Sequence, residues 1–240
     1  MATPDKAVKK QESPPAYTGH RSRVRARFIR NGFDGMEDYE VLEALLMQVL
    51  PRKDVKPLSR SLLERFGTVS GVLSQPLYIL KKIPGLGETS AVGLKMFNDI
   101  GQFCLQEQCF QQSNLIHQPN LIYKFARMKM GSRRHESYMM LFLDSNCHLI
   151  EYRVIAEGTV NYVIAYLRNI MEMAVEIGAA NVILIHNHPS GVCRPSDEDV
   201  ATTREICKAL RTIEIDLLDH VIVTHDEHFS FHEHKLDFKS

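Results

Sequence analysis

The chain has 240 residues, 44% hydrophobic and 24% charged, with 13 Gly and 10 Pro, which excludes a disordered or fibrous protein and leaves room for one or two globular domains. Lys and Arg total 29, as do Asp and Glu, so the charge of the whole chain argues for neither a nucleic-acid nor a membrane partner, and any basic face must be local. No apolar run nears the roughly 18 residues of a bilayer span and the opening Met1–Lys6 has no signal-peptide core, so a cytoplasmic protein is expected.

Residues 1–19 are polar and carry Pro4, Pro14 and Pro15, the pattern of a disordered tail. Lys and Arg outnumber Asp and Glu through Arg30, and an acidic run from Asp34 to Glu43 answers them. The pair reads as solvated faces, with a phosphate-touching arm as the alternative. From Asp38, as N-cap, Val41, Leu42, Leu45, Leu46 and Val49 follow helical spacing up to Pro51. Leu58, Leu62, Leu63 and Phe66 mark a second helix before Gly67, with shorter segments over 69–73 and 77–83. The turn Pro84-Gly85-Leu86-Gly87 then opens a long helical pattern through Phe103, so residues 20–104 read as an all-helical domain.

Residues from 105 onward are rich in Gln and Asn without a long apolar face, and a linker is expected over 105–117. The period changes after it. A helix over 121–130, strands over 137–143 and 149–157, and a helix over 163–177 precede the unbroken apolar Val182-Ile-Leu-Ile185 of a buried strand. A helix over 197–210 and strands over 217–224 and 228–231 complete a second domain, 118–240, of mixed sheet with flanking helices. The fold class is thus α+β or α/β behind an all-helical domain. The cysteines, at 104, 109, 147, 193 and 207, include no Cys-x-x-Cys pair, which suits a reducing compartment; at least four of them read as small buried hydrophobes.

The buried strand runs into His186-Asn-His188-Pro-Ser-Gly-Val-Cys-Arg-Pro195-Ser196-Asp-Glu-Asp199. Histidines at i and i+2 point to one side of a strand, and Asp199, in the first turn of the next helix, can return as a third ligand. That leaves a fourth position of a tetrahedral Zn²⁺ open. Ser196-x-x-Asp199 is also a capping box, which by itself explains both residues. Cys193 reads as a bystander, and the histidines at 220, 225, 228, 232 and 234 as a solvated or buried set with a second zinc site as the alternative.

Taken together, His186, His188, Ser196 and Asp199 resemble the JAMM motif of MPN-domain metallopeptidases, and the string His186-Asn-His-Pro-Ser-Gly191, with Leu218-Asp-His220-Val-Ile-Val223, resembles the RadC family. The resemblance implies an MPN/JAMM-like, cytidine-deaminase-like fold and a zinc-dependent hydrolase for a peptide or isopeptide bond. It also implies His186, His188 and Asp199 as metal ligands, Ser196 as oxyanion donor and an upstream Glu as general base. Glu136 is the first candidate for that base and Glu157 the second. The segment Leu80–Leu94 resembles a helix-hairpin-helix, in which Gly85, Gly87, Lys81 and Lys82 can meet DNA phosphates; a purely structural hairpin is the equal alternative. A DNA-binding accessory factor with a structural metal is the second functional reading.

Overall fold

The computed structural model describes residues 17–158 and 167–238. Residues 1–16 of the expected tail lie outside that range, as do residues 163–166 of the expected helix, Ile164 among them. The described chain forms two compact units, up to Phe97 and from Asn98.

The first unit is helical: α1 (Tyr17–Asn31), α2 (Asp38–Val49), α3 (Lys56–Phe66), α4 (Val69–Leu73), α5 (Leu77–Leu80) and the start of α6 (Glu88–Gln111). Residues 17–19, expected in the tail, already belong to α1. The N-cap of α2 is Glu37 rather than Asp38, because Glu40 three residues on reaches back to the Glu37 N–H at 3.1 Å. The guanidinium of Arg21 donates to the carbonyls of Met47, Leu50 and Lys53, satisfying acceptors that the end of α2 leaves open. Leu42, Leu46, Val72, Leu80 and Leu94 lose all exposure in the core between these helices.

The second unit corrects the linker. Residues 105–111 continue α6 for two more turns, and Leu115–His117 form a 3₁₀ turn. Cys109 and Leu115, inside the expected linker, are fully buried against α7 (Pro119–Met130) and the sheet. Isolated apolar residues among Gln and Asn make no visible stripe, yet tertiary contacts order them. Cys104 is exposed and Cys147 half-buried, against the expectation for both.

The sheet runs in the order β2 (Leu149–Glu157), β1 (Ser137–Leu143), β3 (Asn181–Asn187), β4 (Asp216–Val223), β5 (His228–Ser230), antiparallel except for β3 against β4. Every residue of β1 is buried, as in a strand covered on both faces. On one face Tyr138, Met140, Phe142, Val182, Leu184 and Ile222 pack with α8 (Leu167–Ile177) and α9 (Asp197–Arg211). On the other, Met139, Leu141, Ile183, Ile185 and Val221 pack with α7. A register shift pairs Val182 with Leu217 but Ile183 with Asp219. The extra residue, Leu218, reverses the alternation and turns His220 toward the face of α9.

Candidate metal centre

His186 is the penultimate residue of β3, on the α9 face. His188 lies just past the strand, its N–H bonded to the Val223 carbonyl at 2.9 Å, so β4 still guides the chain there. The chain then folds back through Gly191, whose φ of 81° suits glycine, to Ser196, the N-cap of α9. Asp199 sits at N3 of that helix, where the helix dipole favours a carboxylate.

These three side chains converge. His186 Nε2 lies 2.7 Å from His188 Nε2 and 3.2 Å from Asp199 Oδ1, and His188 Nε2 lies 3.4 Å from Asp199 Oδ2. Among the described residues this is the one His/Cys/Asp/Glu group arranged to hold a metal ion. The donors fit the group: two imidazoles and one carboxylate, on a buried shelf, suit a zinc-type cation with an open position. Burial lowers the pKa of His186, whereas the Asp199 carboxylate beside it raises that of His188 against its own partial burial. Burial pushes the Asp199 carboxyl up, but the imidazoles of His186 and His188 beside it and the hydrogen bonds from Ser196 carry it well below the ordinary range.

Ser196 forms the capping box in full. Its N–H and Oγ–H both donate to Asp199 Oδ2, at 2.8 and 2.7 Å, and its Oγ accepts from the Asp199 N–H at 3.1 Å. The two readings of Ser-x-x-Asp are therefore compatible, since the cap holds the carboxylate while one edge of it faces the histidines. Tyr138 stacks on the His186 ring at 4.8 Å, with its hydroxyl 3.5 Å from Asp199 Oδ1.

Glu136 immediately precedes β1, two residues before Tyr138, which pairs with His186. That spacing puts it on the site face, close enough to favour the charged forms of both His186 and His188. Glu157 pairs with Ser137, which belongs to the other parity, and its carboxylate accepts from Arg133 at 2.7 Å. The loop carrying Glu136 is tied down by fully buried Asn187. Its Oδ1 accepts from the Ser137 N–H at 2.9 Å, and its Nδ2 donates to the carbonyls of His135 and Arg133 at 3.1 and 3.3 Å. The residue between the two histidines is thus the clamp for the segment of the candidate base.

Two more buried residues join the site: Thr203, which the sequence does not single out, and His220, read there as one of a solvated or buried set. His186 Nδ1 meets His220 Nε2 at 2.7 Å, and His220 Nδ1 meets Thr203 Oγ1 at 2.6 Å. A buried polar residue in the apolar Leu217–Val223 run was the available signal for His220. Cys193 instead points to the Ile222 carbonyl at 3.6 Å.

Far along the chain from these residues, Lys81, Lys82, Gly85 and Gly87 gather at the turn before α6. Leu80, Ile83 and Leu86 bury into the helical core, Gly85 has φ 92°, Lys81 pairs with Glu88, and Lys82 lies 5.9 Å over the Tyr78 ring. Both lysines have partners within the hairpin. Among the described residues no helix is long and apolar enough to cross a membrane.

A family profile described as a RadC-like JAB domain matches residues 116–236. The chain is also 33% identical over 224 residues to a UPF0758 protein of Fusobacterium nucleatum subsp. nucleatum, covering 91% of this chain and 97% of that protein.

Proposed function

The chain belongs to the RadC family, and from that premise we propose that its JAB domain is a zinc-dependent hydrolase of the JAMM type acting on a peptide or isopeptide bond. The observation that carries this reading is the convergence of His186, His188 and Asp199, with Glu136 on the same face of the sheet. A zinc ion held by those three side chains would supply Lewis acidity toward water and the scissile carbonyl.

Glu136 is assigned as the general base, its carboxylate taking a proton from the attacking water and returning it to the leaving nitrogen. Asn187 holds the loop that carries Glu136. Ser196 orients Asp199 first; to serve a developing oxyanion its hydroxyl must turn from that carboxylate. Tyr138 and the buried strands shield the His186 side of the site from water, which strengthens each charge interaction there.

The test is cleavage of peptide and isopeptide libraries by the zinc-loaded full chain, with Glu136→Gln as its partner. Cleavage by the native protein that is lost in the variant supports the reading. No cleavage by the zinc-loaded protein, or equal cleavage by both, overturns it.

DNA contact through the hairpin is a secondary proposal. It requires Lys81 to exchange Glu88 for a phosphate, and in the alternative reading of a DNA-binding accessory factor the metal serves structure alone.

A further inference from the structure

We propose that Thr203 and His220 are positioning residues that fix the ring protons of His186, so that in the neutral site two proton-free nitrogens face each other, ready to take a cation. The relay starts at a backbone carbonyl, which cannot donate. Thr203 Oγ1 lies 2.5 Å from the Asp199 carbonyl oxygen, one helical turn back, and a carbonyl only accepts, so the single hydroxyl proton is committed there. Toward His220, Thr203 can then only accept, which places a proton on His220 Nδ1 at 2.6 Å.

The consequence passes along the rings. Neutral His220 with its proton on Nδ1 has a bare Nε2, which must accept from His186 Nδ1 at 2.7 Å. Neutral His186 therefore has a bare Nε2 as well. From the opposite side His188 Nδ1 faces the Val192 carbonyl at 2.8 Å, so in the neutral ring the proton sits on Nδ1 and Nε2 is bare. The two bare nitrogens lie 2.7 Å apart, beside the Asp199 carboxylate. Lone pairs at that distance repel while both rings are neutral, and only a positive charge, a metal ion or one further proton, can lie between them.

The geometry of the fold makes the relay possible. Thr203 follows Asp199 by four residues, so both stand on one face of α9. His220 reaches that face because of the extra residue Leu218 in β4. The ring of Phe231 stacks on one face of His220 at 4.7 Å.

The inference deepens the metal reading, and its test separates the two. Thr203→Val keeps the shape and removes the hydroxyl, whereas Thr203→Ser keeps the hydroxyl and removes a methyl group. Nitrogen-detected NMR of the metal-free full chain reads the tautomer of His220, and competition with a chelator reads zinc affinity. The relay predicts His220 protonated on Nδ1 in the native protein and Thr203→Ser, loss of that single tautomer in Thr203→Val, and zinc binding weakened roughly 10- to 100-fold in Thr203→Val alone. A native His220 protonated on Nε2 overturns it, as does a Thr203→Ser defect equal to or greater than that of Thr203→Val, since packing would then explain the effect. If the native protein binds no zinc, the metal reading fails while the tautomers still decide the relay.

Discussion

Two aspartates are buried in the second unit, Asp199 at the start of α9 and Asp219 in β4, with 1% and 9% exposure, and their surroundings differ in one respect that decides what each can do. Around Asp219 the partners are donors: Ser230 Oγ–H gives to Oδ2 at 2.6 Å and the His232 N–H to Oδ1 at 2.9 Å. Burial still raises its pKa against those bonds. Around Asp199 two imidazoles join the donors Ser196 and Tyr138, and its pKa falls. Asp219 closes a corner of the fold, whereas Asp199 shares its edge with groups that present lone pairs. A cluster of polar residues becomes a metal site through an excess of acceptors, and histidine count alone does not produce one. The histidine-rich end of the chain makes the point again: His228 stacks on Tyr123 at 4.0 Å, His234 on Phe229 at 3.9 Å, and His225 pairs with Asp226 at 2.7 Å.

The largest effect expected from this contrast is catalytic. Glu136→Gln should lower hydrolysis about 10²- to 10⁴-fold while leaving bound metal unchanged, and Asp219→Asn should leave hydrolysis intact. Turnover and metal content measured on the same samples check both. A Glu136→Gln protein without metal would make Glu136 a ligand, and loss of activity in Glu157→Gln alone would transfer the base to the second candidate.

Next come stability effects. Asn187→Ala removes three hydrogen bonds and leaves the buried Ser137 N–H without its acceptor, at a cost of about 1–3 kcal/mol; a chemical melt of the metal-free protein reads it directly. Ser196→Ala should cost about 1 kcal/mol through the lost cap, and on the order of 10²-fold in turnover if the hydroxyl also serves the oxyanion.

The sign of pH dependence separates the two aspartates further. Asp219 has a folded pKa above its ordinary 3.8, so its contribution is fully present below the unfolded value and is lost as pH rises through the folded one. Asp219→Asn does not titrate, and its deficit relative to native protein should therefore be larger in acid than at neutral pH. Urea midpoints at the two conditions measure this; a deficit that grows toward neutral pH contradicts the assignment. The smallest effect is expected at the hairpin, where replacing Lys81 and Lys82 with Glu should weaken any DNA binding that is itself salt-sensitive and independent of sequence. Equal binding by the variant would leave the hairpin a packing element.

How much of this was legible in the sequence follows the range of the interactions. His186, His188, Ser196 and Asp199 stand within 14 residues, and their spacing against a strand end and a helix start encodes the convergence. The strand 137–143 is equally plain from its apolar run, and 149–157 from its β-branched and aromatic residues after the turn at Asp144–Cys147. His220 is not, because its role depends on a partner in the neighbouring strand and on the extra residue at Leu218, and neither leaves a local signature. The role of Asn187 has no local signature either, because its three partners lie some fifty residues upstream. The stretch 105–111 reads as a linker because it has no long apolar stripe, although its Leu, Gln and Glu favour a helix, and burial of Cys109 supplies the packing that the pattern does not show.

The central claim, a site built for one cation between His186, His188 and Asp199, is tested most directly by zinc titration of the metal-free full chain with calorimetry, run beside His186→Ala, His188→Ala and Asp219→Asn. The account predicts about one zinc per chain in the native protein and in Asp219→Asn, with most of it lost in either histidine variant. Unchanged zinc binding in the His186→Ala and His188→Ala proteins would contradict it.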